Sequence, residues 1–201
     1  MGRRSAHTAD ELRRLVLDAA EQIIENGGLG ELSARQVARR IGYSPGTLYN
    51  LFQNLDDVIL HVEARMLTAL DQRLAAVLDG SSGEAAVRQF ARAYHAFSRE
   101  RPGLWNLLLE HHLPRSHVLP QWYQERLEAP IGRLEAVLAQ IVGAEGGRAK
   151  RSARALWAGL HGVTLLSTTT KAGRVMAEAT TELIDELVEA YLAGLKRKQA
   201  N

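Results

Sequence analysis

Four groups able to pair with nucleic acid, Ser44, Thr47, Tyr49 and Asn50, follow closely on three arginines, Arg35, Arg39 and Arg40. All lie in LSARQVARRIGYSPGTLYNLFQNLDDVIL, from Leu32 to Leu60. Guanidinium and hydroxyl groups bond phosphate oxygens, and small polar tips meet base edges. No acid occurs between Ser33 and Gln53, so the local charge favours a polyanion.

The other side chains with chemical potential are histidines. His95, His111, His112 and His117 cluster in the middle of the chain, and imidazole suits zinc, nickel or iron. No HExxH or paired ExxH motif accompanies them, and adjacent His111 and His112 would point apart on a helix. The chain has no cysteine, which excludes disulfides, thiolate zinc sites and cysteine nucleophiles. No metal, no cofactor and no enzymatic activity is expected. A helical enzyme or metal protein built on the histidines, or a protein-interaction bundle, are the contrary readings.

Two short helices must hold the polar groups of Leu32 to Leu60. Ser33 precedes Gln36 by three residues, the spacing of a reciprocal cap, so a helix starts at Ser33 or Ala34. It ends near Arg40, because Gly42 supplies the freedom for a reversal. Ser44 caps a second helix with Pro45 at its first position. Val37, Ala38 and Ile41 fall on one face, and Leu48, Leu51 and Phe52 on another, and these faces can pack. The opposite face then carries Thr47, Tyr49 and Asn50, with Pro45 and Gly46 leaving the tip low enough for a major groove. Plain packing of two helices fits the same spacing.

SPGTLYNLF closely resembles the recognition helix of the tetracycline-repressor (TetR) family, with Ser44, Gly46, Thr47, Leu48, Tyr49 and Phe52 at matching places. The resemblance implies that Arg35 and Gln36 open a helix that contacts phosphates or base edges. It implies further that Pro45, Gly46 and Thr47 face the groove and that the Tyr49 hydroxyl meets a phosphate, with Asn50 beside it. Two positions depart from the family pattern: Leu51 stands where histidine is frequent, and Leu55 where a phosphate-binding lysine is common. Asn54 can cap the following helix and present N–H groups to a phosphate, although Asp56 and Asp57 would repel one.

The 201 residues suffice for one ample core or two small domains, and a hydrophobic content of 46% is ordinary for a globular protein. Net charge is only +2, and residues 1 to 60 carry seven arginines against eight acids, so binding would depend on where charge sits. No apolar run approaches eighteen residues and no signal segment follows MGRR, so a cytoplasmic protein without membrane contact is expected. Alternating runs of β-branched residues are missing, and the class expected is all-α with about nine helices.

Thr8 with Glu11 caps a first helix whose stripe of Leu12, Leu15, Val16, Ala19, Ile23 and Ile24 ends at Gly27 and Gly28. Arg3 and Arg4, ahead of it, can reach a minor groove or a phosphate. A helix over 55–79 reads as a connecting rod between a DNA-binding domain of residues 1–53 and a helical domain of residues 54–201. Further helices are expected ending near Pro102, before Pro114, from Pro120 to Val142, from Arg148 to Lys171 and from Met176 to Arg197.

In ALWAGLHGVTLLSTTT, Trp157, His161, Leu165 and Thr168 follow one face, while Ala155, Gly159 and Gly162 leave another nearly bare. His161 suits either a ligand contact or a core histidine bonded to a carbonyl. Trp157 with His161 and Gly162 also resembles the W…HG signature of one TetR-type branch. By the family resemblance the last two helices of two subunits form a four-helix interface, here through Ala155, Gly159, Gly162, Leu187 and Tyr191. Such a homodimer would read a palindromic double-stranded DNA operator. A small, largely apolar effector is expected among Trp105, Leu109, Trp122, Trp157, His161 and Leu165, although aromatics at helical spacing also suit a core.

Overall fold

The computed structural model describes residues 7–114, 116, 118–168 and 179–200. Arg3, Arg4, His117, Lys171 and Met176 therefore lie outside the described residues. Among those described, nine α-helices and two short 3-10 turns make an all-α chain. The helices are α1 (Ala9–Gly27), α2 (Ala34–Ile41), α3 (Pro45–Tyr49), α4 (Leu55–Leu78), α5 (Gly83–Glu100), α6 (Pro102–Glu110), α7 (Gln121–Val142), α8 (Arg148–Thr168) and α9 (Thr180–Ala200).

Local chemistry sets the early boundaries. Thr8 and Glu11 form a complete capping box on α1, with the Glu11 N–H donating to Thr8 Oγ1 and the Thr8 N–H to Glu11 Oε2. On α2 the box is half made. The Gln36 N–H donates to Ser33 Oγ at 3.2 Å, while the Gln36 amide turns away to Glu31 Oε2, a charged and therefore stronger acceptor. Gly42 ends α2 in the left-handed region at φ 77°, and the Tyr43 N–H reaches back to Ala38 O at 2.9 Å. Ser44 occupies the cap of α3, but its hydroxyl pairs with Thr47 Oγ1 at 3.3 Å rather than with a backbone amide.

The chain divides into two compact units. The first comprises residues up to Met66 together with Arg101–Tyr123, and the second Leu67–Glu100 together with everything from Gln124 onward. In the first unit α1 buries Val16, Ala20 and Ile24, α2 buries Val37 and Ala38, and α6 adds Leu104 and Trp105. The approach of α6 to α1 is close enough that a Cβ at Gly103 would lie 3.2 Å from both Glu25 Cα and Ile24 O. Arg101 clamps the same junction, donating to Glu21 at 3.1 Å and to Glu25.

The second unit is built on Leu70 and Leu74, Phe90 and Tyr94, Leu134 and Leu138, and the α8 stripe of Ala153, Leu156, Leu160 and Thr164. Ile184, Val188 and Leu192 of α9 close it, and burial of this apolar area is its main source of stability. Arg88 bonds Glu189 and Arg92 bonds Asp185, so α9 runs antiparallel to α5.

Candidate nucleic-acid interface and effector pocket

The fold of the first unit decides what α2 and α3 can present. Val37, Ala38, Leu48 and Phe52 are between 0% and 4% exposed and lock the two helices together. With those faces inward, Arg35, Ser44, Pro45, Gly46, Asn50 and Asn54 lie exposed, Gln36 and Thr47 half-buried, and the Tyr49 ring 57% exposed. The groups expected to meet DNA are thus exposed or half-buried. Arg40 is turned to α1, its Nε bonding Gln22 at 3.0 Å.

Gly46 bears on what approaches α3. A Cβ there would meet only Ser44 Oγ, at 3.7 Å, so nothing inside the protein requires glycine at this tip. Asn54 caps α4 through Oδ1, which accepts from the Asp57 N–H at 2.8 Å, and Asp57 in turn accepts from the Gln53 N–H at 2.9 Å. The Asp57 carboxylate is thereby held to the helix start, and the Asn54 amide N–H groups point to a different task from its oxygen.

The first unit also holds a polar network whose members lie far apart in the sequence. Glu63 of α4, only 3% exposed, accepts from the Tyr123 hydroxyl at 2.6 Å and faces His111 Nδ1 at 3.2 Å. His111 Nε2 faces Asp56 Oδ1 at 3.3 Å. Burial pulls the His111 imidazole down, and the Glu63 and Asp56 carboxylates outweigh it and push it up. Next to this cluster His61 stacks on Trp122 at 4.4 Å and meets the edge of Phe52 at 5.5 Å. A signal for Glu63 existed: it lies four residues after Ile59 and three before Met66, on an apolar face. His112 Nδ1 lies 2.8 Å from the Glu110 carbonyl oxygen.

Of the six residues expected around an effector, Trp105, Leu109 and Trp122 belong to the first unit, and Trp157, His161 and Leu165 to the second. Neither unit holds all six. In the second, Trp157 stacks on His161 at 5.3 Å, and His161 Nδ1 lies 2.7 Å from the Tyr94 hydroxyl. Burial pushes Tyr94 up, against a hydrogen bond from Trp157, and lowers His161, so both stay neutral. Trp157 also lines a groove of about 410 Å³ between α7 and α8, shared by Leu127, Ile131 and Gly132 with the charged Glu128, Glu135, Lys150 and Arg154.

The small-residue face of α8 serves this chain's own packing in part. A Cβ on Gly159 would stand 3.0 Å from Leu187 Cδ2, and Tyr191 donates to the Ser152 carbonyl at 2.9 Å. Nothing lies within 4 Å of a Cβ on Gly162, and exposed Ala155 borders an open groove with Arg148, Arg151, Tyr191 and Leu195.

Two short helices joined by a tight turn at Gly42, with exposed polar residues and a glycine near the start of α3, braced by α1 and followed by a 24-residue helix, define a helix-turn-helix DNA-binding protein. The family model described as "Bacterial regulatory proteins, tetR family" matches residues 16–62, and "Tetracyclin repressor-like, C-terminal domain" matches residues 87–191. The chain belongs to the TetR family and is a DNA-binding transcriptional regulator. It is 23% identical to the uncharacterised HTH-type transcriptional regulator YobS of Bacillus subtilis (strain 168), covering 91% of this chain and 92% of that one. Among solved structures it resembles a protein of unknown function from Rhodococcus sp. RHA1, with a TM-score of 0.75, 24% identity and coverage of 96% and 98%. It also resembles the regulator FadR of Bacillus subtilis in complex with stearoyl-CoA, with a TM-score of 0.67, 16% identity and coverage of 90% and 98%.

Proposed function

We propose that the protein is a homodimeric repressor that binds a palindromic operator and is released by a small, largely apolar effector. What supports the DNA contact is the acid-free stretch over α2, α3 and the cap of α4, where Arg35, Ser44, Pro45, Gly46, Tyr49, Asn50 and Asn54 are exposed and Gln36 and Thr47 half-buried. Arg35, Tyr49 and Asn54 hold phosphates; Gln36, Thr47 and Asn50 read base edges. One such helix reads only a few base pairs, and a fixed pair adds half-site spacing and effective concentration.

Dimerisation through α8 and α9 is favoured by the shallow surface at Ala155 and Gly162, while Gly159 and Leu187 set how closely the two helices of one subunit lie. The effector enters the second unit by the groove beside Trp157. FadR, solved in complex with stearoyl-CoA, is a precedent for a ligand with a long apolar chain on this fold.

Release works by population shift along α4, about 36 Å long at 1.5 Å per residue. Its first half holds Glu63 and Asp56 of the polar network, and its second half holds Asp71, which accepts from Arg133 Nη2 of α7 at 2.7 Å. A ligand that moves α7 pulls on Asp71, and the continuous helix carries the shift to Asn54 and α3. Such a regulator works in the cytoplasm, where the DNA is. None of its described helices is long and apolar enough to cross a membrane.

Sedimentation of the protein with a labelled duplex from the region upstream of its gene tests the dimeric reading. Two chains per duplex, with footprints on two symmetric half-sites, are expected. One chain per duplex, or a single unpaired footprint, contradicts it.

A further inference from the structure

Two buried side chains in the second unit lack what buried polar groups normally have. His95, 6% exposed, has no hydrogen-bond partner at Nδ1 or Nε2, and Thr164, 0% exposed, has none at Oγ1. Ser98, also 0% exposed, spends its hydroxyl on the His95 carbonyl at 2.7 Å and does not relieve them. Orphans of this kind are rare and costly, and several in one seam call for an external partner.

The helix pairings bring them to one level. The Arg88–Glu189 and Arg92–Asp185 pairs make α5 antiparallel to α9. Tyr191 bonded to Ser152, and Leu187 against Gly159, make α8 antiparallel to α9 as well. Hence α5 and α8 run parallel, and the Tyr94–His161 contact fixes their register. One turn further along, Ser98 and Thr164 reach the same height, with His95 just below. All three are on the buried side of their helices. The opposite end of the same line opens outward, because Trp157, stacked on His161, forms part of the α7–α8 groove.

We propose that this α5–α8 seam receives the uncharged hydrogen-bonding end of the effector, a hydroxyl or carbonyl, with Thr164 and His95 as its partners and the apolar body lying back along Trp157 toward the groove. The assignment rests on the effector reading above and narrows its chemistry. A neutral imidazole offers one donor and one acceptor, and a threonine hydroxyl offers both. Burial, and the neighbouring Arg99 charge, hold His95 below its ordinary value, so the imidazole itself offers a carboxylate or phosphate no positive charge.

Three eight-carbon probes test it at pH 7.5: 1-octanol, 2-octanone and octanoate, each read by thermal shift on wild type and on Thr164→Val. The alcohol and ketone are expected to stabilise wild type at concentrations at least tenfold below octanoate. Thr164→Val, which removes an unpaired hydroxyl at nearly constant shape, is expected to melt at or above wild type without ligand and to bind 1-octanol about tenfold more weakly. His95→Phe serves as a second variant with the same expected loss. A Thr164→Val chain that melts below wild type means that an internal water already fills the seam and overturns the assignment. So does equal binding of 1-octanol by both chains, preference for octanoate, or binding of none of the three. The effector reading has a separate readout, loss of DNA binding by wild type on adding a bound probe: a probe that obeys the seam predictions without releasing DNA leaves the seam intact and removes that reading.

Discussion

Gly46→Ala separates a requirement of the fold from a requirement of the DNA. Gly46 does not adopt a positive φ, and a Cβ at this position meets only Ser44 Oγ, 3.7 Å away, in ordinary contact. Inside the protein the change is therefore free of strain, and alanine's better helix propensity adds at most about 1 kcal/mol. If α3 enters the groove as proposed, the methyl group stands at its tip, where the backbone would approach the DNA. Its intrusion should resemble one mismatched base pair, about 1–3 kcal/mol, a loss of roughly 5- to 150-fold in affinity. Fluorescence anisotropy on a labelled upstream duplex, at fixed salt, reads the loss, and a thermal melt checks the fold. An alanine variant that melts like wild type and binds as tightly would refute a close approach of this tip to DNA.

Two other changes probe how the first unit is held. Gly103→Ala sets a Cβ 3.2 Å from Glu25 Cα and Ile24 O, backbone atoms that cannot rotate aside, so overpacking of about 1–3 kcal/mol should outweigh the helix gain. Urea denaturation reads it, and unchanged stability would show that α6 does not sit so near α1. His111 gives a pH signature. Its imidazole lies above the ordinary value of about 6.5, so the stability it contributes is fully present below that pH and is lost as pH rises through its folded value. His61, His95 and His161 are pulled down mainly by burial and slope the opposite way, their contribution fading as pH falls below about 6.5. The readout is consequently the difference in melting temperature between wild type and His111→Asn, which should be larger at pH 6 than at pH 9. A difference that does not vary with pH contradicts the Glu63–His111 pairing.

The parts of this fold written in the sequence are those that depend on neighbours within one turn. Thr8 with Glu11, Ser33 before Gln36 and Gly42 after Ile41 each fix a boundary through a bond to a residue three to five positions away. The α4 span from Leu55 to Leu78 follows from its apolar recurrence alone. Even at this range a side chain has alternatives: Gln36 chose Glu31, and the Ser44 hydroxyl chose Thr47.

Contacts between distant residues left almost no trace. Glu63 meets Tyr123 across 60 positions, Arg101 meets Glu21 across 80, and Tyr94 meets His161 across 67. A carboxylate on an apolar stripe hints that a partner exists but not which one. The proposed DNA face is legible for the opposite reason. Its residues are adjacent in sequence, and their exposure follows once Leu48 and Phe52 are assigned to the core.

Salt dependence of DNA affinity bears most directly on the regulator reading. Each phosphate held by a cation steepens the fall of log affinity with log salt by about 0.9. With an upstream duplex between about 50 and 200 mM salt, wild type is predicted to show a steep linear fall, and Arg35→Ala a slope shallower by about one, together with weaker binding at every salt concentration. Identical slopes for the two proteins would remove Arg35 from the phosphate contacts, and the absence of salt-sensitive binding by wild type would contradict the account as a whole.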